Sequence, residues 1–267
     1  MLRTRIATAL VLGVIVLSVL FLLPPIFGVG LVALAVLAGG WEWSRLAGFT
    51  STPARVAYVV LVAVLGALAW ASSGDWAGWQ WLMASACLWW LVAFAWLALA
   101  PERVNTLVAA GAGICTLVPA WVGLGRLLEH GPHATAYLFY LLLVVWAADV
   151  GAYFVGRRFG RVKLAPQVSP NKTWEGLGGG VLGGIVVSAL GARYFAQPAL
   201  PFVALGLVLV LASVVGDLTE SMFKRASGLK DSGSLLPGHG GVLDRIDSIT
   251  SSVPFYILGL GWLGWLG

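Results

Sequence analysis

Carboxylates, cations, glycines and a histidine crowd into one stretch of an otherwise apolar chain, residues 217–248, which read D-L-T-E-S-M-F-K-R-A-S-G-L-K-D-S-G-S-L-L-P-G-H-G-G-V-L-D-R-I-D-S. Five of the chain's eleven acidic residues, Asp217, Glu220, Asp231, Asp244 and Asp247, fall here. On a helix, Asp217, Glu220, Ser221 and Lys224 share one face at i, i+3, i+4 and i+7. Asp244, Asp247 and Ser248 repeat the first part of that spacing. Between the two sets runs 228–241, with five glycines, Lys230, Asp231, Pro237 and His239. Paired carboxylates suit a divalent cation, while glycine-rich backbone with Lys and Arg suits phosphate. Together these residue types point to metal-assisted phosphate chemistry.

A second polar stretch, 156–175, reads G-R-R-F-G-R-V-K-L-A-P-Q-V-S-P-N-K-T-W-E and carries five cations. Its run from Arg157 to Lys163 fits membrane topology and attraction to anionic lipid. The run Ser169, Pro170, Asn171, Lys172, Thr173, Trp174 and Glu175 is a substrate-binding candidate instead. Just upstream, Asp149 sits near the end of an apolar segment, where an acid is costly unless it reaches the interface or a partner. It joins the candidate site.

The elements that must position these residues are membrane helices. With 267 residues, 60% of them hydrophobic and 10% charged, and a mean hydropathy of +0.93, the chain lacks the polar surface of a soluble globule, whose charged share is about 25%. The formal charge of +5 is not clustered on an aromatic polar surface, so a nucleic-acid partner is excluded. Cys87 and Cys115 stand in apolar runs without a CxxC or histidine partner and read as inert packing. Hydropathy predicts an all-α, polytopic integral membrane protein with about nine spans, at 6–23, 26–40, 56–71, 79–100, 106–124, 136–155, 176–192, 201–216 and 249–266.

With nine crossings and the N-terminus in the cytoplasm, fourteen of the sixteen Lys and Arg fall on the inner side, and only Arg126 and Arg193 on the outer. A miscounted span would destroy that bias. The expected layout is therefore 1–135 as about five N-terminal spans, and 136–267 as about four spans with cytoplasmic loops at 156–175 and 217–248. Trp41, Trp43, Trp76, Trp79 and Trp81 fall at predicted span ends, where indoles favour the interface. Gly176, Gly180 and Gly184 recur every four residues and allow close approach of a helix from this chain or from a second subunit.

The residues resemble those of the phosphatidate cytidylyltransferases, the CDP-diacylglycerol synthases. The family's C-terminal pattern stands here as Ser221-Met222-Phe223-Lys224-Arg225, Lys230-Asp231, Pro237-Gly238-His239-Gly240-Gly241 and Asp244-Arg245-Ile246-Asp247. Ser169 to Gly176, and Trp146 with Asp149, also look like family features. Before Trp146 the likeness is mainly hydropathy and Trp41-Glu42-Trp43.

The resemblance implies that CTP and phosphatidate give CDP-diacylglycerol and pyrophosphate in phospholipid biosynthesis. It also implies Mg2+, a homodimer and residence in the bacterial inner membrane. Joining two phosphate anions asks for charge neutralisation and in-line positioning more than for a protein nucleophile. Asp217 and Asp244 are then the first-choice metal ligands, with Glu220, Asp247 and Asp149 beside them and room for a second cation. Lys172, Lys224, Arg225, Lys230 and Arg245 would hold phosphates, and the backbone of Gly240 and Gly241 would approach an oxyanion. His239 would contact or protonate pyrophosphate. Ser169, Asn171, Thr173, Glu175 and Ser221 complete the substrate-binding set.

Two rivals use similar raw material. A lipid or polyprenol kinase also needs Mg2+ and a nucleotide beside the bilayer, but releases a nucleoside diphosphate. A secondary transporter places its charges near the midplane of interrupted, repeated helices; here they gather at one face.

Overall fold

A computed structural model describes residues 2–101, 104–238 and 240–266. His239 and Arg103, both expected to face the cytoplasm, lie outside the described residues. Among the described residues there are nine helices: α1 (Leu2–Leu22), α2 (Pro25–Leu46), α3 (Thr52–Ser72), α4 (Trp76–Leu99), α5 (Thr106–Glu129), α6 (Ala134–Phe159), α7 (Trp174–Tyr194), α8 (Ala199–Ala226) and α9 (Leu243–Trp262). Seven of them, α2 to α8, are long and apolar enough to cross a membrane. The apolar part of α1, Ala7–Leu22, is shorter. In α9 the first two turns hold Asp244, Arg245 and Asp247, followed by Ser248, Thr250, Ser251 and Ser252. The hydroxyls of Thr250, Ser251 and Ser252 turn back onto their own helix, as in the bonds from Ser252 Oγ to Ser248 O at 2.8 Å and from Thr250 Oγ1 to Asp247 O at 2.8 Å. That arrangement keeps their polarity tolerable in an apolar setting.

The sequence reading of helices alone needs one correction. The stretch after α6 folds into a small antiparallel hairpin, β1 (Lys163–Ala165) and β2 (Ser169–Thr173), with Lys163 opposite Thr173 and Ala165 opposite Ser169. Pro166 and Pro170 cannot donate to a helical ladder, and each pushes its predecessor toward extended backbone. Thr173 then starts α7 by accepting a hydrogen bond from Gly176 N at 3.1 Å, the usual service of an N-cap threonine.

The 217–248 stretch is less of a loop than expected. Helix α8 runs on to Ala226, and α9 begins at Leu243. Lys224 and Arg225 in the last turn of α8, and Asp244 in the first turn of α9, carry the charges that suit those helix ends. The irregular part shrinks to 227–242.

Two packing features place the site. First, α6 and α7 meet through glycine. A Cβ on Gly179 would collide with Gly151 O and Val155, and one on Gly183 with Ala147 O. Of the two partners open to the glycine row, it is a helix of the same chain that takes this face. This close seam sets Asp149, on α6, beside the first turns of α7 and the end of α8.

Second, the polar stretch is anchored by apolar residues within it. Met222, Phe223 and Leu243 are buried with Trp43 and Leu117 in one core cluster. Trp43 stands 5.2 Å from the Phe223 ring, centroid to centroid, and donates from Nε1 to Ala109 O at 2.8 Å. Trp43 and Trp79 are therefore core residues, whereas Trp81 stays exposed as an interfacial indole should. Neighbouring helices extend past the predicted span ends and cover the two buried rings.

Candidate active site

A cavity of about 750 Å3 opens where the end of α8, the start of α9, the end of α6 and the hairpin converge. Asp149, Asp217, Asp244 and Asp247 line it, with Lys172, Lys224 and Arg245. Ser169, Asn171 and Thr173 form its hairpin wall. Most residues singled out from the sequence are thus brought together from four separate elements. Asp217 and Asp244, which a metal role requires at the same end of the bundle, share one cavity.

The acids are held in two different ways. Asp217 pairs with Lys172 Nζ at 2.6 Å and accepts a long bond from Ser221 Oγ at 3.3 Å. It stands near enough to Asp149 and to Asp247 for their charges to interact. Asp149 is exposed to the cavity.

Asp244, by contrast, is filled by protein donors. Its Oδ1 takes Lys224 Nζ at 2.7 Å, and its Oδ2 takes Ser232 N at 3.1 Å and Gly241 N at 2.8 Å. Lys224 also lies 2.9 Å from Glu220 Oε1. Glu220 is 1% exposed, and apart from that ion pair neither of its oxygens accepts a hydrogen bond among the described residues.

Several expected contributors stand elsewhere. Arg225 turns toward the hairpin, donating from Nε to Val168 O at 3.4 Å, and borders a separate recess with Gln167 and Met222. Glu175 is outside the cavity lining; it accepts from Arg161 N at 3.1 Å and Val162 N at 3.2 Å, and so ties the first turn of α7 to the hairpin. Ser221, Glu220, Lys230, Gly240 and Gly241 also fall outside the lining. The Gly241 amide, expected to meet an oxyanion of a ligand, meets Asp244 instead. Gly240 has φ +81, a left-handed value that glycine adopts at little cost.

One residue of the arrangement was not anticipated. Glu42, on α2, is 1% exposed and receives Ser232 Oγ at 3.1 Å, Val242 N at 3.1 Å and Leu243 N at 2.8 Å. The signal for it was available: an acid among Trp41, Trp43 and apolar neighbours demands a partner as firmly as Asp149 does.

Among the described residues no group of three His, Cys, Asp or Glu side chains forms a ready metal cage. What the cavity offers is hard carboxylate oxygens beside two lysines, Lys172 and Lys224, and two arginines, Arg157 and Arg245. Such a surface can gather anions and a hard cation together, and can hold phosphate oxygens while a neighbouring group reacts.

Known proteins bear on this geometry. Residues 3–262 match the model of the "Cytidylyltransferase family". The chain is 46% identical to a phosphatidate cytidylyltransferase of Pseudomonas aeruginosa over 99% of both chains. It is 40% identical to one of Haemophilus influenzae, over 96% of this chain and 97% of that one. To one of Brucella suis it is 35% identical, over 96% and 92%. With the match running from the first helix into the last, this chain belongs to the cytidylyltransferase family.

Proposed function

We propose that this protein transfers the cytidylyl group of CTP to phosphatidate, giving CDP-diacylglycerol and pyrophosphate. The observation that carries the reading is the shared cavity, where aspartates from α6, α8 and α9 face Lys172 and Arg245 at the ends of apolar helices. The full-length relatives named phosphatidate cytidylyltransferase agree with it. Its volume of about 750 Å3 falls in the range of ligand sites, roughly 300–1,000 Å3.

In this reading a phosphate oxygen of phosphatidate attacks the α-phosphorus of CTP, and the bond to the β-phosphate oxygen breaks, releasing pyrophosphate. The lipid brings its own nucleophile, so no covalent protein intermediate is required. Lys172 and Arg245 hold phosphate oxygens and bring two anions together, which is most of the task. Asn171 and Ser169 add neutral donors from the hairpin. Arg157, at the cavity edge, and Arg158, Arg161 and Lys163 beyond it meet the arriving head group.

The donor set fits Mg2+, which is normally bound through one or two carboxylates together with substrate phosphates rather than in an all-protein cage. Asp217, Asp149 and Asp247 would hold it, with Asp244 drawn in only by giving up a protein donor. Bound there, Mg2+ neutralises charge on the reacting phosphates.

The charge bias across the spans supports a cytoplasmic N-terminus and a cavity open to the cytoplasm, in the inner membrane of a bacterium. The family resemblance is the ground for proposing a homodimer, with an interface other than the glycine row, which packs against α6.

Purified protein given labelled CTP, phosphatidate and Mg2+ should yield lipid-linked CMP and one pyrophosphate per turnover, and chelation should stop both. A phosphorylated lipid with a nucleoside diphosphate, and no pyrophosphate, would make it a lipid kinase.

A further inference from the structure

Helix α9 starts without a side-chain cap of its own; Val242 stands at the N-cap and makes no such bond. The cap comes from 200 residues away. Glu42 Oε1 accepts Val242 N at 3.1 Å and Oε2 accepts Leu243 N at 2.8 Å, so one carboxyl group covers two successive amides where the irregular segment enters the helix. The same Oε2 takes Ser232 Oγ at 3.1 Å. Ser232 is fully buried, and its own N–H donates to Asp244 Oδ2 at 3.1 Å, while Asp244 Oδ1 holds Lys224 Nζ at 2.7 Å. A continuous chain of contacts therefore runs from α2 through the 227–242 segment to the end of α8.

Two glycines make the space for it. A Cβ on Gly233 would collide with the Glu42 carboxyl group, and one on Gly241 with both that group and Ser232 Oγ. Glu42 itself does not line the cavity.

We infer that Glu42 is a positioning residue: it clamps both ends of the 232–243 segment and so fixes Asp244 and Lys224 at the cavity wall. The inference rests on the cytidylyl-transfer reading above. Chemistry distinguishes the acid from a space-filler. In Glu42→Gln one acceptor oxygen becomes an amide nitrogen, which donates only. Because Val242 and Leu243 address different oxygens, one backbone N–H loses its partner whichever way the amide turns. Loss of even 1 Å in placement near reacting groups can cost about 100-fold in rate.

The test compares wild type, Glu42→Gln and Gly233→Ala as full-length proteins in lipid nanodiscs. Two measurements are made: CDP-diacylglycerol formation, and amide hydrogen exchange across 231–243 with α7 as internal reference. Both variants should lose about 100-fold in kcat with KM for phosphatidate within about twofold. They should exchange faster at 231–243 but not in α7, which a general loss of folding would also speed. A variant that does not fold leaves the other to decide. Unchanged kcat or unchanged exchange at 231–243 in a folded variant, beside an active wild type, overturns the positioning role alone. A wild type that forms no CDP-diacylglycerol fails the functional reading itself.

Discussion

Asp217 and Asp244 hold matching places in the sequence, each followed three residues later by another acid, yet the fold surrounds them differently. Asp244 is met by Lys224, Ser232 N and Gly241 N, and the Glu42 clamp stands directly behind it. Asp217 has Lys172 and one long bond from Ser221, and looks across the cavity at Asp149 and Asp247. The pattern is also crossed: Glu220, which follows Asp217, is paired through Lys224 with the Asp244 group, and Asp247, which follows Asp244, faces Asp217. Spacing along a helix selects which side chains share a face, but the donors around them decide which are left for a ligand. A carboxylate whose oxygens are occupied by amides and an ammonium builds the wall. One with spare lone pairs and acidic neighbours awaits a cation.

The widest predicted gap is in turnover. Asp217→Asn should lower CDP-diacylglycerol formation by about three orders of magnitude, the upper range for losing a group that stabilises charge in the transition state. Its melting temperature in detergent should stay near that of wild type, because crowding with Asp149 and Asp247 is relieved as the Lys172 pair is lost. Retained turnover would remove Asp217 from the cation site.

Asp244→Asn should behave otherwise. It leaves Lys224 with Glu220 alone in a setting where the ammonium and Asp244 side chains are only 12% and 10% exposed, and removing one partner of such a pair costs about 3 kcal/mol. A clear fall in melting temperature should accompany a loss of turnover smaller than that of Asp217→Asn. Equal melting temperatures for the two variants would erase the distinction between wall and cation site.

Much of this was legible before any coordinates. Nine apolar runs became nine helices among the described residues because a 3.6-residue turn in an oily sequence has few alternatives. Asp149 was singled out because an acid is expensive where it stands, and Lys172, Asp217 and Asp244 because they fall in the two polar stretches of an apolar chain. What could not be read was who satisfies whom. Glu42 and Ser232 are separated by 190 residues, and local pattern carries no record of such a distance. Thr173 and Glu175 looked like ligand groups, but Thr173 caps α7 while it lines the cavity, and Glu175 binds backbone amides. Polar residues at a helix start serve both purposes equally well, so type alone does not separate them. The hairpin was missed for a similar reason: three and five residues are too few for a period of two to show.

The smallest predicted effect probes the Asp217 side most finely. Ser221 is 9% exposed, lies outside the cavity lining, and its Oγ reaches Asp217 Oδ1 at 3.3 Å, near the limit of a hydrogen bond. In Ser221→Ala the carboxylate keeps Lys172 at 2.6 Å and loses a weak neutral donor, worth about 1 kcal/mol at most. That corresponds to no more than about a fivefold drop in kcat, with the midpoint for Mg2+ activation shifting little. The reason lies in the contrast already drawn: a cation-binding carboxylate is oriented chiefly by the charges around it, whereas one that forms a wall depends on each of its donors. If steady-state assays instead found Ser221→Ala as damaged as Asp217→Asn, the serine would have to touch substrate directly, and the boundary of the site would move one turn further along α8.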